Sequence, residues 1–176
     1  MNIDLTEAKV YVGTYKKYSE GSIFGKWLSL NDYDSIDDFY AECKELHKDE
    51  DDPELMFQDY ENIPEGLISE CCISDNLFEI LNALSEMDDD LKEPFFIWCN
   101  NGHHSLAESD IDDLMASYEN EYVGKYDDEE DYAFELVAER HDLNDFALQY
   151  FDYESYAKDL FCGDYWFSDG HVFVSR

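Results

Sequence analysis

The sequence predicts an α+β protein in which short strands and amphipathic helices alternate irregularly. Alternating Val and Tyr near the N-terminus indicate a strand, and apolar residues three and four positions apart indicate helices. An Asp-Gly pair near the C-terminus indicates a hairpin turn. Hydrophobic residues make up 44% of the 176 residues and aromatic residues 16%, so the chain has enough apolar material to fold.

An N-terminal α+β domain is predicted over residues 1–71. Ser35 is its predicted helix N-cap, because a hydroxyl there can accept a hydrogen bond from the first helical turn. The remaining elements follow from alternation and turn residues. They are strands at residues 9–15, 22–30 and 55–60, a turn at 17–21 and a helix at 35–46.

The middle segment, residues 72–113, is predicted to be a helical domain, and residues 114–176 to return to α+β structure. Apolar residues at helical spacing place a capped helix at residues 74–87, with further helical pieces on either side of the "NNG" loop. The C-terminal elements are a strand at 120–126, an acidic helix from about 128, a short helix or turn at 150–160 and a hairpin at 164–175.

Negative charge is spread along the whole chain. The 45 Asp and Glu residues face only 11 Lys and Arg, for a formal net charge of −34. Residues 1–72, 73–113 and 114–176 carry −12, −10 and −12, so the protein is not a neutral domain with an acidic tail.

One predicted helix stacks like charges along a single face. Its first-turn acids suit the positive end of the helix dipole, but each later like-charged neighbour costs about 0.2–0.5 kcal/mol. Arg140 lies beside this face and not within it. Successive separations of 3, 4, 4 and 3 residues put the acids on one continuous ridge. We call these five residues the acidic ridge: Asp128, Asp131, Glu135, Glu139 and Asp142.

Other patterns argue against a membrane protein and against a disulfide framework. No segment approaches the roughly 20 apolar residues of a membrane span, and "MNIDLTEAK" lacks the features of a signal peptide. These features predict a cytoplasmic protein. The five cysteines, at positions 43, 71, 72, 99 and 162, are odd in number and suit reduced thiols.

Metal and catalytic motifs are missing from the sequence. No acidic run has the Gly and Glu spacing of a calcium-binding EF-hand loop. "CNNGHH" places Cys99 near His103 and His104, yet zinc needs three or four well-spaced ligands. His141 and His171 have no recognisable nucleophile partner, and no GxSxG, GxGxxG or Walker loop is present. We therefore predict no enzyme activity, no metal and no cofactor.

The charge itself suggests a ligand for proteins that bind nucleic acid. DNA carries one charge per about 1.7 Å of helix axis, so 34 charges match about 58 Å of duplex. Carboxylates three or four residues apart on a helix are about 4.5–6 Å apart along the axis, a spacing comparable with that of phosphates. The acidic ridge is thus a candidate phosphate mimic.

Four stretches of the sequence resemble elements of one known protein family. "VYVGTYKKYSEGSIFGKW" (residues 10–27) is similar to that family's opening strand, turn and Gly-x-Trp, and "YFDYESYAKDL" (residues 150–160) to its Tyr-Ile-Asp-Tyr-x-x-Tyr-x-x-Asp-Leu element. "FQDYE" (residues 57–61) resembles its His-Asp-Tyr-Glu element with Gln58 in place of His. With these stretches the sequence resembles the ArdA antirestriction family nearly end to end, and "EDYAFELVAERHDL" (residues 130–143) occupies the place of its antirestriction motif.

The resemblance implies an elongated chain of three small domains that forms a homodimer through the C-terminal one. Such proteins mimic bent DNA and occupy the DNA-binding groove of type I restriction–modification enzymes, formed by the methyltransferase and specificity core. They inhibit restriction, and also modification, and are carried on plasmids and conjugative transposons. We expect no direct nucleic-acid binding and no membrane association.

The residues alone are also compatible with two other classes of protein, a halophile-type acidic enzyme and a calcium-binding protein. In the DNA-mimic interpretation, the partner-binding carboxylates are those of the acidic ridge and of two further acidic clusters. The clusters comprise Asp88, Asp89, Asp90, Asp110, Asp112 and Asp113.

Overall fold

The computed structural model describes residues 4–102 and 104–176. Within these ranges, eight α-helices combine with two small antiparallel sheets, which confirms the predicted α+β class. None of the helices in the described ranges has the length and apolar character needed to cross a membrane.

The described chain divides into two compact units. The first comprises the residues up to Glu93 together with Ser105–Ile111, and the second comprises Pro94–His104 together with Asp112–Arg176. This division does not confirm the predicted three domains, which stay a prediction.

A three-stranded antiparallel sheet forms the base of the first unit. Its strands are β1 (Lys9–Thr14), β2 (Lys26–Ser29) and β3 (Leu55–Glu61), in the order β2-β1-β3. The unit also holds α1 (Tyr15–Ser19), α2 (Ile36–Leu46), α3 (Leu77–Glu86) and the start of α4 (Asp89–Asn101). Val10 and Val12 of the central strand are fully buried, as are Phe39 and Cys43 of α2. The predicted first strand and the predicted helix at residues 35–46 are confirmed.

Several local predictions for the first unit are confirmed and others are corrected. Ser35 caps α2, because its side chain accepts a hydrogen bond from the Asp38 backbone N–H at 3.2 Å. The second strand is shorter than predicted and starts just after Gly25. A Cβ at Gly25 would lie 2.6 Å from the Val12 carbonyl oxygen, so the two backbones approach closely there. Residues 17–19 of the predicted turn belong instead to the short helix α1, which Thr14 caps, and only residues 20–21 form a turn. The predicted helix at residues 74–87 begins only at Leu77.

The second unit contains another three-stranded antiparallel sheet. Its strands are β4 (Tyr122–Lys125), β5 (Tyr165–Ser168) and β6 (His171–Val174), in the order β4-β6-β5. Its helices are the end of α4, then α5 (Ile111–Glu121), α6 (Glu129–Ala138), α7 (Asp145–Gln149) and α8 (Tyr153–Leu160). The fully buried Trp98 packs with Phe95 and Tyr118, and α6 packs against α8.

Turn chemistry explains one confirmed prediction and one omission in the second unit. The predicted hairpin turns at Asp169 and Gly170, whose φ angles of 50° and 85° are the left-handed values that a tight hairpin requires. Helix α7 was not predicted, because its five residues are too few to show an apolar period. The Asn144 side chain caps it by accepting from the Ala147 backbone N–H at 2.9 Å.

His47, at the end of α2, is fully buried in a polar cluster of the first unit. Its Nδ1 lies 3.0 Å from the Lys17 ammonium nitrogen, and its Nε2 lies 3.3 Å from the Val12 carbonyl oxygen. An ammonium group can only donate, so Nδ1 accepts and Nε2–H donates to the carbonyl. His47 is therefore held as the neutral ring.

Charged and aromatic groups surround the Lys17–His47 pair. Lys17 also binds Asp49 at 2.8 Å and Glu50 at 3.4 Å, and the Phe24 ring covers both Lys17 and His47. Burial lowers the pKa of His47 and the Lys17 charge lowers it further, against the opposing effects of the Val12 carbonyl, Glu50 and Asp49.

We predict that His47 makes the free energy of unfolding depend on pH. The unfolded chain binds a proton below about pH 6.5, whereas the folded state resists it, so the stability is present above that pH. It is lost as the pH falls through about 6.5 towards the lower pKa of the folded state. Denaturant melts of the native protein and of His47→Gln, at about pH 7.5 and about pH 5.5, should show a smaller loss in the variant.

The exposed His141 provides the control, because His141→Gln removes a histidine without touching the cluster. Relief of carboxylate repulsion at low pH is common to all three proteins and cancels in the comparison. Equal losses in the native protein and His47→Gln would contradict the prediction.

Candidate protein-binding surface

The predicted partner-binding carboxylates are all exposed, and most lie at helix starts. Asp88, Asp89 and Asp90 lie at the beginning of α4 in the first unit. Acids are favoured there by about 0.3–1 kcal/mol each, because the N-terminal N–H groups of a helix point outward and the dipole is positive. Asp89 also pairs with Lys92, at 2.6 Å, so this cluster is partly neutralised.

The second acidic cluster lies at the beginning of α5. Asp112 and Asp113 occupy its first turn in the second unit, and Asp110 immediately precedes the helix in the first unit. All three side chains are exposed to solvent. The same helix-dipole argument therefore explains why the chain tolerates three acids within four residues.

The acidic ridge starts with a helix cap. The Asp128 carboxylate accepts a hydrogen bond from the Asp131 backbone N–H at 2.8 Å, which makes Asp128 the N-cap of α6. Glu129 and Glu130 join Asp131 in the first turn. The start of the ridge is thus locally stabilising, as predicted for its first-turn acids.

The far end of the ridge differs from the prediction of one continuous helical face. Helix α6 ends at Ala138, Glu139 is its C-cap and Asp142 lies beyond the helix. Arg140 does not merely lie beside the ridge: its Nε and Nη2 donate to the two Asp142 oxygens at 2.9 and 2.7 Å. This bidentate pair lowers the pKa of Asp142 and neutralises the end of the ridge.

Carboxylates in the middle of the ridge act on the neighbouring phenol of Tyr126. The Tyr126 hydroxyl donates to Glu135 at 3.3 Å. Burial raises the pKa of Tyr126, and the carboxylates of Glu135, Asp131 and Glu139 raise it further. Three ridge members therefore act together on one phenol, although each is exposed to solvent.

The structure also brings together acids that the sequence analysis did not select. Glu154, at the start of α8, lies with the first-turn acids of α6 around a cleft of about 370 Å³. The cleft is lined by Asp128, Glu129, Glu130, Glu154, Ala157, Lys158 and Phe167. Glu129 and Glu130 belong to the run of five consecutive acids at residues 127–131, but Glu154 reaches this site only because α8 packs on α6. No local pattern could have predicted that neighbour.

The cysteine and histidine residues near the "NNG" loop are the candidate metal ligands of the sequence. Cys99 is buried, and burial raises its pKa to about 12, so it is held as the thiol. The His104 ring stacks on Trp98 with centroids 3.8 Å apart, while His103 lies outside the described residues. Across residues 4–102 and 104–176, no three His, Cys, Asp or Glu side chains are grouped so as to hold a metal ion.

The two units thus define an acidic α+β protein that displays its carboxylates at helix starts and along α6. The chain belongs to the ArdA family of antirestriction proteins, because the model of that family matches residues 10–173. The family is one of inhibitors of restriction and is not a known class of enzyme. A comparison with curated proteins returned no match.

We predict that Asp128 stabilises the protein through its cap and not through its charge. Asp128→Ala removes the acceptor for the Asp131 N–H and should cost about 0.5–2 kcal/mol of the free energy of unfolding. Asp128→Asn keeps an acceptor oxygen, so it should lower the free energy of unfolding by no more than a few tenths of a kcal/mol. Urea denaturation of both variants measures the difference, and equal losses would show that the charge and not the cap matters.

Proposed function

We propose that this protein inhibits type I restriction–modification enzymes by presenting carboxylates where the enzyme expects DNA phosphates. The observation that carries the proposal is the match to the antirestriction family over residues 10–173, in a chain with net charge −34. A groove that binds DNA offers Lys and Arg side chains, for which exposed carboxylates are the complementary groups. The encounter takes place in the cytoplasm, where the resident enzyme and the incoming DNA meet.

The acidic ridge supports this proposal because most of its charge is not neutralised locally. Within residues 4–102 and 104–176, no Lys or Arg forms an ion pair with Asp128, Asp131, Glu135 or Glu139. Their like-charge repulsion would be relieved when cationic side chains of a partner come close. Long-range attraction between the two surfaces would also accelerate association at low salt.

We further propose that two copies of the chain associate through an aromatic surface of the second unit. Phe134, Phe146 and Tyr150 are 55%, 72% and 70% exposed. The Phe134 ring packs at a tilt against the Tyr153 ring, with centroids 5.2 Å apart, and the Phe146 ring packs likewise against Tyr150 at 5.0 Å. Exposed aromatic clusters of this kind mark protein interfaces, and this one lies in the C-terminal region that the family resemblance assigns to dimerisation.

We predict that neutralising the acidic ridge weakens inhibition without unfolding the protein. A single Glu135→Gln change should cost about 0–1 kcal/mol of binding, as for other exposed charges. The five changes Asp128→Asn, Asp131→Asn, Glu135→Gln, Glu139→Gln and Asp142→Asn should together weaken binding by about tenfold to 100-fold. A restriction-protection assay over a range of salt concentrations, beside a melting curve, measures both effects.

A charge-matched variant supplies the control for this experiment. It neutralises five exposed acids of the first unit: Glu20, Asp32, Asp51, Asp52 and Glu65. A larger loss of inhibition for the ridge variant supports a specific role of the ridge. Equal losses would mean that total charge alone matters, and full inhibition by the ridge variant would remove the ridge from the proposal.

We predict that Phe146→Glu disrupts the homodimer. Burying an unpaired carboxylate in an interface is unfavourable by several kcal/mol, so dimer affinity should fall by at least about tenfold. Ile23→Glu is the matched control, because Ile23 is 81% exposed but lies in the first unit. Sedimentation equilibrium should show monomers for Phe146→Glu and dimers for Ile23→Glu, and a dimer for both would reject this interface.

A further inference from the structure

Cys71 and Cys72 lie side by side in a tight turn that no part of the proposed inhibition uses. The turn follows β3 and is closed by a hydrogen bond from the Ser69 backbone N–H to the Cys72 carbonyl oxygen at 2.8 Å. The Cys72 N–H donates in return to the Ser69 hydroxyl oxygen at 3.2 Å. Ile68 and Ile73 pair as an antiparallel bridge on either side. The two cysteines are thus held on a fixed backbone.

Their thiols are exposed and close together. The two Sγ atoms are 3.8 Å apart, and the Ser69 hydroxyl oxygen lies 2.9 Å from Cys72 Sγ and 3.6 Å from Cys71 Sγ. All three polar atoms therefore occupy the same side of the turn. The thiols are exposed nucleophiles with a paired arrangement that a single reagent can bridge.

The other three cysteines have a different environment. Cys43 and Cys99 are buried, and burial raises the pKa of each to about 12, which keeps them as unreactive thiols. Cys162 is exposed, but it forms no thiol pair among the described residues. The chain therefore contains one exposed thiol pair together with an exposed single thiol for comparison.

Geometry disfavours direct closure of the pair to a disulfide. Disulfides usually join residues with Cα atoms about 4.4–6.8 Å apart, whereas consecutive residues are only about 3.8 Å apart across a trans peptide. An additional atom between the two sulfurs relaxes that requirement, because each sulfur then bonds to the bridging atom. The pair is better suited to a bridging thiophile than to a disulfide.

We propose that Cys71 and Cys72 form a dithiol site for monosubstituted trivalent arsenicals. In this reaction the R–As=O reagent forms two As–S bonds, and the two thiol protons leave with the oxygen as one water. Arsenic stays trivalent, and its third bond is retained by the organic group. No third protein ligand is therefore needed, and the two sulfurs satisfy the coordination.

Chelation makes the arsenical bind to the Cys71–Cys72 pair in preference to a single thiol. Once the first thiol has reacted, the second reacts within the same molecule at an effective concentration of about millimolar or higher. A lone thiol such as Cys162 has no such advantage and exchanges with dissolved monothiols. The site is independent of the proposed inhibition, since it requires neither the acidic ridge nor a partner protein.

The experiment uses phenylarsine oxide on the full reduced chain in the presence of excess glutathione. Intact-mass analysis should show one arsenical per chain, and the thiol count after denaturation should fall by two from the five cysteines of the sequence. A small dithiol should release the arsenical completely. Loss of the adduct to glutathione alone, or a fall of one thiol, would overturn the proposal.

Three variants locate the site. Cys71→Ser and Cys72→Ser should each reduce retention by at least about tenfold, because each leaves only a single thiol at the turn. Cys162→Ser should retain the arsenical as the native protein does. Retention by both turn variants, or loss in Cys162→Ser, would place the site elsewhere. Circular dichroism verifies that each variant is folded, which is expected because all three positions are exposed.

Discussion

Repulsion among carboxylates is the constraint to which every part of this structure responds. With 45 acids and 11 bases, a compact state is favoured only if apolar burial exceeds the electrostatic cost. Large aromatic side chains supply that burial, as in the second unit, where Phe95, Trp98 and Tyr118 pack together. A buried acid in that region, Glu121, accepts from Trp98 Nε1 at 2.7 Å and pairs with Arg176 at 3.1 Å, so it carries no uncompensated charge.

Acids at the starts of helices can be exposed to solvent and still stabilise the protein. The acids at the beginnings of α4, α5 and α6 meet outward-pointing N–H groups, and Asp128 caps α6 directly. A carboxylate in such a position stabilises its own helix while its remaining oxygens face solvent. An acidic surface that is built this way needs no buried counterions.

Helix α6 connects the two surfaces of the proposed function. Tyr132, Ala133 and Val137 face the core, whereas Phe134 contributes to the aromatic surface and Glu135 to the acidic ridge. In this proposal, neighbouring residues on one helix serve burial, association and charge display. In the proposed dimer the ridge lies beside the interface, so the negative surfaces of the two copies would adjoin one another.

The sequence by itself determined those features whose causes are local. The Ser35 cap, the Asp169–Gly170 hairpin turn and the α+β class follow from hydrogen bonding, backbone preference and apolar periodicity within a few residues. Only the tertiary structure decided that Arg140 closes the ridge on Asp142, that Glu154 joins the acids of α6, and that the described chain forms two compact units. These features depend on where the chain turns after a helix ends and on which elements pack together. Arg140 and Asp142 are only two residues apart, but their pairing depends on how the chain continues after α6 ends at Ala138. Contacts between residues distant in sequence place Glu154 beside α6 and define the two units, and no local pattern records them.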